Sequence, residues 1–210
     1  MVRVSLQLFA EGGSEAISMR KLAAEVGVAP MSLYRYFPSK AHLMRHIWQD
    51  VLSRASHQGT LASAVANAPL GALHAFLDGF LQYWLDNPDH YTVVFAHPGG
   101  HGGVAAEGIL APPLRPDPQD VLETLGELLD ECAEPRPLPP EWRHQMQAEL
   151  FCGAIGFLLG TLGLFLAQAE HIERLRARVL DGLVHRVEFE LAKLGAAATA
   201  TPGRARVRRR

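Results

Sequence analysis

The fold is decided by the stretch ISMRKLAAEVGVAPMSLYRYFPSK, which occupies residues 17–40. Ser18 can cap a helix, since a serine oxygen at this position accepts a hydrogen bond from an unbonded backbone N–H, and apolar residues then recur at helical spacing until Gly27. Pro30 suits the first turn of the next helix, because proline lacks an N–H that would have no partner there, and Pro38 ends it. The stretch therefore predicts two short helices separated by a tight turn.

Helical patterns lie on both sides of this stretch. Leu6 and Phe9 share one face of a first helix, and the glycine pair at 12–13 predicts its end. After the stretch, Ser39 can cap a longer helix with apolar residues on its inner face. Residues 1–47 are therefore predicted to form a three-helix unit that contains a helix-turn-helix.

The rest of the chain is also helical in pattern, and strand-like alternation is absent from it. The sequence therefore predicts an all-α protein, in which the N-terminal helix-turn-helix unit is followed by a larger helical domain over residues 48–195. The predicted elements of that domain are a helix over 70–84, a glycine- and proline-rich loop over 97–118, and two long helices over 141–168 and 172–194.

Charge and cysteine content narrow the class of protein. The net charge is −2, but residues 1–58 carry seven Lys and Arg against four acids, so this end is the one to test for nucleic acid. Residues 196–210 are predicted to be a disordered basic tail, because they hold five arginines and few apolar residues. Cys132 and Cys152 give no disulfide or zinc pattern, and the N-terminus lacks a long apolar segment, so a cytoplasmic location is expected.

The stretch over 17–40 closely resembles the DNA-binding signature of the TetR family of transcriptional regulators. The resemblance covers residues 4–48, and its most specific part is the core formed by Leu33, Tyr34, Phe37 and Lys40. It implies a dimeric regulator, most often a repressor, that binds operator DNA and responds to a small ligand. The implied contacts to DNA phosphates come from Tyr34, Tyr36 and Lys40, with Arg20 reaching a phosphate or a base.

Base recognition is implied for the exposed N-terminal face of the second short helix. Pro30 and Met31 offer only apolar contact to thymine methyl groups, whereas Ser32 and Arg35 can donate hydrogen bonds to base edges. Arg35 is the predicted specificity residue, because a bidentate arginine–guanine contact discriminates strongly between bases. The alternative is that Tyr34 packs in the core, that Lys40 is merely solvated and that Arg35 pairs with an acid.

The sequence departs from the family pattern at two places. Ala29 stands where a serine commonly caps the recognition helix, so one stabilising hydrogen bond is expected to be missing. The first helix also begins several residues later than is usual, which is compatible with a misassigned start codon or with weaker DNA binding.

The two long C-terminal helices are predicted to form the dimer interface, as the resemblance implies, through a four-helix bundle. A membrane span is the competing interpretation, because residues 150–169 contain no charged side chain. The spacing of the glycines favours close helix packing instead, and a two-fold dimer predicts an inverted-repeat operator. The predicted interface residues are Gly153, Gly156, Gly160, Gly163, Leu175, Val179 and Leu183.

An effector pocket is predicted among aromatic residues of the larger domain, and it should take a small apolar or aromatic molecule. The alternative is that these residues are plain core. The predicted lining consists of Trp84, Tyr91, Phe95, Phe151 and Phe157, with His97 or Gln145 as polar groups.

Other functional classes find little support in the sequence. His97 and His101 resemble a metal chelate but lack a third ligand at suitable spacing, and no phosphate-binding loop or nucleophile motif is present. No cofactor, metal site or enzymatic activity is therefore predicted. The second hypothesis is a membrane-tethered or purely structural helical protein with a vestigial N-terminal unit.

Overall fold

The computed structural model describes residues 2–95, 117–164 and 169–200. Throughout these residues the ordered elements are helices, which confirms the predicted all-α class. They are α1 (Val2–Ala16), α2 (Met19–Val26), α3 (Pro30–Tyr36), α4 (Lys40–Ser63), α5 (Pro69–Asp86), α6 (Pro88–Phe95), α7 (Gln119–Ala133), α8 (Pro140–Leu158) with a π-helical turn over Leu159–Gly163, and α9 (Ala169–Ala200).

The predicted signals at the start and end of α2 are confirmed. Ser18 Oγ accepts a hydrogen bond from the backbone N–H of Lys21 at 3.1 Å. Gly27 ends the helix with φ of 74°, in the left-handed region where a side chain would be strained. The turn that follows brings α3 back across α2, and Leu22 and Leu33 are buried beneath the two helices.

Helix α1 is longer than predicted. It continues through the glycines at 12–13 to Ala16, whereas the sequence analysis ended it at those glycines. Each glycine costs a helix roughly 1 kcal/mol relative to alanine. Burial of Leu8 and Phe9, together with Ile17 just beyond the helix, outweighs this local cost.

Helix α4 connects the two parts of the chain without a break. It passes through Gly59 and contains the predicted domain boundary between residues 47 and 48. Gly59 permits close packing on α5, because a Cβ atom there would lie 2.7 Å from the carbonyl oxygen of Phe76. Gly79 does the same from the other side, since its Cβ would lie 3.0 Å from the carbonyl oxygen of Gln58.

The C-terminal helices also differ from their predicted bounds. Helix α8 ends at Leu158 and gives way to a π-helical turn, so the predicted helix over 141–168 is interrupted. Helix α9 reaches Ala200, so residues 196–200, which were predicted as disordered, are helical. Helix α6 was not predicted at all. Residues 201–210 of the predicted tail and 97–116 of the predicted loop lie outside the described residues.

Candidate nucleic-acid interface

Helix α3 presents most of its residues to solvent. Leu33 is its one buried side chain, at 1% exposure, and it holds the helix on the core. Met31 is 79% exposed, Tyr36 70% and Tyr34 43%, which is unusual for large side chains on so short a helix. Because the subunit itself covers so little of these side chains, this surface is suited to contact another molecule.

The polar residues of α3 share that exposed surface. Pro30, Ser32 and Arg35 are exposed, and the guanidinium carbon of Arg35 lies 5.9 Å from the centre of the Tyr36 ring. No carboxylate oxygen of the described residues lies within 4.0 Å of the Arg35 guanidinium nitrogens. The structure thus does not support the alternatives in which Tyr34 is core and Arg35 pairs with an acid.

Cations from two neighbouring helices border α3. Arg20 is exposed on α2, and Lys40 is the first residue of α4. Ser39 caps α4 as predicted, since its Oγ accepts from the backbone N–H of His42 at 3.4 Å and lies 2.8 Å from His42 Nδ1. The positive end of α4 therefore points out beside Lys40, an arrangement that favours an anion such as a phosphate.

The capping of α3 agrees with the sequence analysis. Ala29 occupies the N-cap position and supplies no side-chain hydrogen bond. Pro30 follows at the first helical position, where its missing N–H costs nothing. The helix is held instead by Leu33 and by the backbone N–H of Phe37, which donates to the Leu33 carbonyl at 2.9 Å.

The predicted effector pocket is only partly assembled. Trp84, Tyr91 and Phe95 are buried together, with ring centres 5.2 Å apart for Trp84 and Phe95 and 5.3 Å apart for Tyr91 and Phe95. The Trp84 indole nitrogen, Nε1, is buried and has no hydrogen-bond partner among the described residues. This aromatic cluster lies where α5 meets α6, and its indole N–H can serve a ligand.

The other predicted pocket residues lie on α8 or outside the described residues. Phe157 is buried on α8 and Phe151 is half-buried there. Gln145 is exposed, and its Nε2 donates to Glu149 Oε1 at 2.9 Å, so it does not serve as the polar group of the aromatic cluster. Its orientation follows from the first turns of α8, which place it on the solvent side. His97 lies outside the described residues.

Helix α6 touches both parts of the chain, a role that the sequence analysis missed. Trp48 of α4 donates its indole N–H to the carbonyl of Val93 at 2.9 Å, in a buried hydrogen bond. Helix α6 also packs against α1. The signal was weak, because α6 is only eight residues long and directly follows the end of α5.

A polar pair fixes the other end of α6. Tyr83 Oη lies 2.7 Å from His90 Nδ1. Burial raises the pKa of Tyr83 to about 12. Burial, followed by the charge of Arg54, lowers the pKa of His90, which favours the neutral imidazole, and the tautomer of that ring decides which of the two groups donates the hydrogen bond.

The predicted dimer residues divide into two sets. A Cβ at Gly153 would lie 2.6 Å from Leu183 Cδ2, so these two predicted interface residues pack against each other within one subunit. Gly163 also approaches α6, since a Cβ there would lie 2.9 Å from Tyr91 Oη, although the residue itself is exposed.

The second set contains the remaining predicted residues. At Gly156 no described atom lies within 4 Å of the position that a Cβ would take, and Leu175 is 40% exposed, whereas Gly160 and Val179 are half-buried. Gly182 and Phe189 of α9, which were not predicted, are open as well: no described atom lies within 4 Å of a Cβ built at Gly182, and Phe189 is 51% exposed. The open face of α8 and α9 is thus formed by fewer of the predicted residues than the glycine spacing suggested.

Helix α8 and its π-helical turn, Pro140–Gly163, form the one element of the described residues that is long and apolar enough to cross a membrane. The segment overlaps the uncharged residues 150–169 noted in the sequence. It is partly buried against neighbouring helices, and the core helix of a globular protein meets the same criteria of length and composition. These criteria therefore give only weak support to a membrane span.

A metal site finds no support in the part of the chain that the structure describes. No group of three or more His, Cys, Asp or Glu side chains is arranged there to hold a metal ion. His97 and His101, the residues that resemble a chelate in sequence, lie outside that part.

Helices α2 and α3 are joined by a tight turn, and the exposed surface of α3 lies beside basic residues of α2 and α4. This arrangement is that of a helix-turn-helix protein. Residues 2–47 match the family model described as bacterial regulatory proteins, tetR family. The N-terminal domain of the chain is thus similar to that of the tetR family, as the sequence resemblance implied. The matched model describes regulatory proteins, in agreement with the prediction of a regulator.

Curated relatives match only part of the chain. The chain is 34% identical over 94 residues to the nucleoid occlusion factor SlmA of Haemophilus influenzae, covering 43% of this chain and 41% of the relative. It is 52% identical over 40 residues to the transcriptional repressor KstR of Rhodococcus jostii, covering 19% of each. The chain thus spans less than half the length of these curated relatives.

Solved structures resemble the chain over most of its length. The regulator FadR of Bacillus subtilis, in complex with stearoyl-CoA, is 14% identical with a TM-score of 0.67, covering 87% of this chain and 95% of that one. A TetR variant of Acinetobacter baumannii in complex with minocycline is 20% identical with a TM-score of 0.59, covering 89% and 93%. At these identities the comparison shows a shared fold.

Proposed function

We propose that this chain is a cytoplasmic transcriptional repressor, which binds an inverted-repeat operator as a homodimer and releases it when a small apolar or aromatic effector binds. The observation that carries the proposal is the surface of α3, where Met31, Tyr34 and Tyr36 are exposed beside Arg35. Repressor is the activity named for relatives such as KstR.

The roles of the α3 surface follow from its chemistry. Arg35 forms a bidentate contact with a guanine, and Ser32 bonds a neighbouring base edge, while Pro30 and Met31 contact thymine methyl groups. Tyr34 and Tyr36 bind phosphates on either side. These contacts require α3 to lie in the major groove with its N-terminal end toward the bases.

Phosphates also meet the helices that border α3. Lys40 and the positive end of α4 hold one backbone segment, and Arg20 holds another. These contacts position the helix-turn-helix without reading sequence.

Dimerisation is assigned to the open face of α8 and α9. Leu175 and Phe189 supply apolar area, and the bare backbone at Gly156 and Gly182 lets another helix approach closely. A two-fold axis through this face presents two copies of α3 to the same side of a DNA duplex, so the operator repeats in inverted orientation.

Effector release is assigned to the aromatic cluster of Trp84, Tyr91 and Phe95. A ligand that takes the unpaired Trp84 N–H displaces α6, because two of these three rings belong to that helix. Helix α6 in turn bonds α4 through Trp48 and Val93, and the N-terminal end of α4 follows α3 directly. An effector that prefers the displaced arrangement lowers operator affinity by linkage.

Footprinting tests the DNA contact directly. The purified full chain is incubated with DNA flanking its own gene at moderate salt and excess nonspecific competitor, and with a random-sequence pool in parallel. We expect protection or enrichment of an inverted repeat. Arg35→Ala should weaken binding about 10- to 100-fold, as loss of a bidentate base contact does.

Glu127→Ala is the control, because Glu127 is exposed on α7, outside both the helix-turn-helix and the open face of α8 and α9. It should leave the footprint unchanged. If neither DNA source yields an inverted repeat, or if both alanine variants behave alike, the proposal is wrong.

A further inference from the structure

A cavity of about 420 Å³ lies at the junction between the α7–α8 connection and the last turns of α9. None of its lining residues belongs to α1–α6, so it is separate from the α3 surface and from the Trp84 cluster. The lining consists of residues 132–139 on one side and Leu191, Leu194 and Gly195 on the other.

The walls of this cavity are largely apolar. Leu138 and three prolines come from the connection, and Leu191 and Leu194 come from α9. Leu191 and Leu194 follow the buried Val187 by four and seven residues, so all three lie on one face of α9. The cavity therefore opens on the side of α9 that faces its own subunit. It is therefore distinct from the open face that carries Phe189.

One cation stands at the rim. Arg136 is exposed, and its Nη1 lies 3.1 Å from the position that a Cβ on Gly195 would take, so the guanidinium reaches from the connection to α9. Glu134 lines the same cavity, yet neither its carboxylate nor that of any other described residue lies within 4.0 Å of the Arg136 nitrogens. The planar guanidinium is thus without an acidic partner among the described residues, and its geometry suits a carboxylate.

Cys132 adds to the apolar wall. Burial raises the pKa of its thiol to about 11, so the side chain is neutral at physiological pH and brings no negative charge into the cavity. It is also a chemical reporter, because an occupant of the cavity would cover its sulfur.

We infer that this cavity binds a medium-chain aliphatic carboxylate, with the carboxylate on Arg136 and the chain along Leu138, Leu191 and Leu194. The volume suits this class of ligand. With roughly 30 Å³ for each water in the liquid, the cavity holds about a dozen non-hydrogen atoms, which is the size of decanoate.

Protection of Cys132 from alkylation tests the inference. The full chain is treated with iodoacetamide at mildly alkaline pH, with and without sodium decanoate below its micelle concentration, and each cysteine is followed by peptide mass spectrometry. We expect decanoate to slow labelling of Cys132 about tenfold. Cys152, which is exposed on α8, is the internal control and should be labelled at the same rate throughout.

Two further measurements test whether the carboxylate of the ligand is recognised by Arg136. Decyltrimethylammonium, which has the same chain and the opposite charge, should give no protection. Arg136→Gln should raise the decanoate Kd by calorimetry about tenfold or more, as loss of a charge-assisted hydrogen bond does, whereas Arg174→Gln on the exposed part of α9 should not.

Equal protection by the cationic surfactant, an unchanged Kd in Arg136→Gln, or parallel protection of Cys152 would overturn the inference. Leu194→Glu gives a second check, since a carboxylate inside the cavity should abolish decanoate binding while the thermal unfolding midpoint shows that the variant folds. No DNA is present in these measurements, so their failure leaves the operator proposal to its own test.

Discussion

The α3 surface and the open face of α8 and α9 both expose large apolar side chains, but they differ in what surrounds those side chains. Around Met31 and Tyr36 lie Arg35 and the positive end of α4. Around Phe189 lie the backbone left bare by Gly182 and Lys193, whose Nζ is 5.3 Å from the centre of the Phe189 ring but is also paired with Glu190 Oε1 at 2.9 Å. Exposed apolar area beside a cation that has no acidic partner suits a phosphate-bearing partner, whereas exposed apolar area beside bare backbone and neutralised charge suits another helix.

The largest effect should come from removing the buried anchor of α3. Leu33→Ala is expected to lower the free energy of unfolding by about 2–5 kcal/mol, because it leaves a cavity under the helix. Met31→Ala, on the exposed side of the same helix, should change it by no more than about 0.5 kcal/mol. Urea titration of both variants checks this, and equal losses would show that Met31 is structural.

A large residue at Gly156 should disturb the open face of α8 and α9 and leave the α3 surface unaffected. No described atom lies within 4 Å of a Cβ built there, so Gly156→Trp should leave the unfolding midpoint of the subunit nearly unchanged but disrupt helix packing across the open face. Sedimentation velocity should show a shift from dimer to monomer. A dimer of undiminished stability would place the interface elsewhere.

A change at Gly27 should loosen the turn before α3. Gly27→Ala is expected to cost about 1 kcal/mol, because alanine is strained at φ of 74° although space is available for its methyl group. Chemical denaturation gives the value, with Gly71→Ala on α5 as a control in an ordinary helical position where a Cβ would meet only Ala66 Cβ at 4.0 Å. The control should be neutral or slightly stabilising.

The smallest effect concerns His90 on α6, the helix that contacts both α1 and α4. Because burial and Arg54 lower the pKa of His90 in the folded chain, the unfolded chain binds a proton more readily below about pH 6.5. This contribution to stability is fully present above that pH and is lost as the pH falls further. His90→Gln should reduce the drop in the urea midpoint between about pH 7.5 and 5.5, whereas His57→Gln, at an exposed site on α4, should not.

The sequence predicted those features of the fold, such as helix caps and turns, that depend on only a few neighbouring residues. The caps at Ser18 and Ser39, the turn at Gly27 and the single buried anchor Leu33 follow from positions within one or two helical turns. The exposure of Tyr34 could be expected from the family resemblance, which assigned it to DNA.

Features that depend on distant contacts could not be predicted in this way. The contact of Gly153 with Leu183 joins two helices thirty residues apart in the chain, and periodicity alone does not say which glycine meets a neighbour and which stays open. The hydrogen bond from Trp48 to Val93 likewise depends on where α6 lies, and Pro88 had indicated only the end of α5. Tyr91 and Phe95 were correctly predicted to cluster with Trp84, but Gln145, the polar group assigned to this cluster, lies on the solvent side of α8.

The tight packing of α4 on α5 at Gly59 and Gly79 has a mechanical consequence. Helix α4 has 24 residues, so at about 1.5 Å per residue it is a lever roughly 36 Å long, clamped near one end by α5 and attached to α3 at the other. The arm from the clamp at Gly59 to the first residue of α4 is about 28 Å long, so a tilt of about 5° moves that end by about 2.5 Å, compared with a rise of roughly 3.4 Å between successive base pairs. A displacement too small to alter the fold would therefore shift α3 by most of one base-pair step.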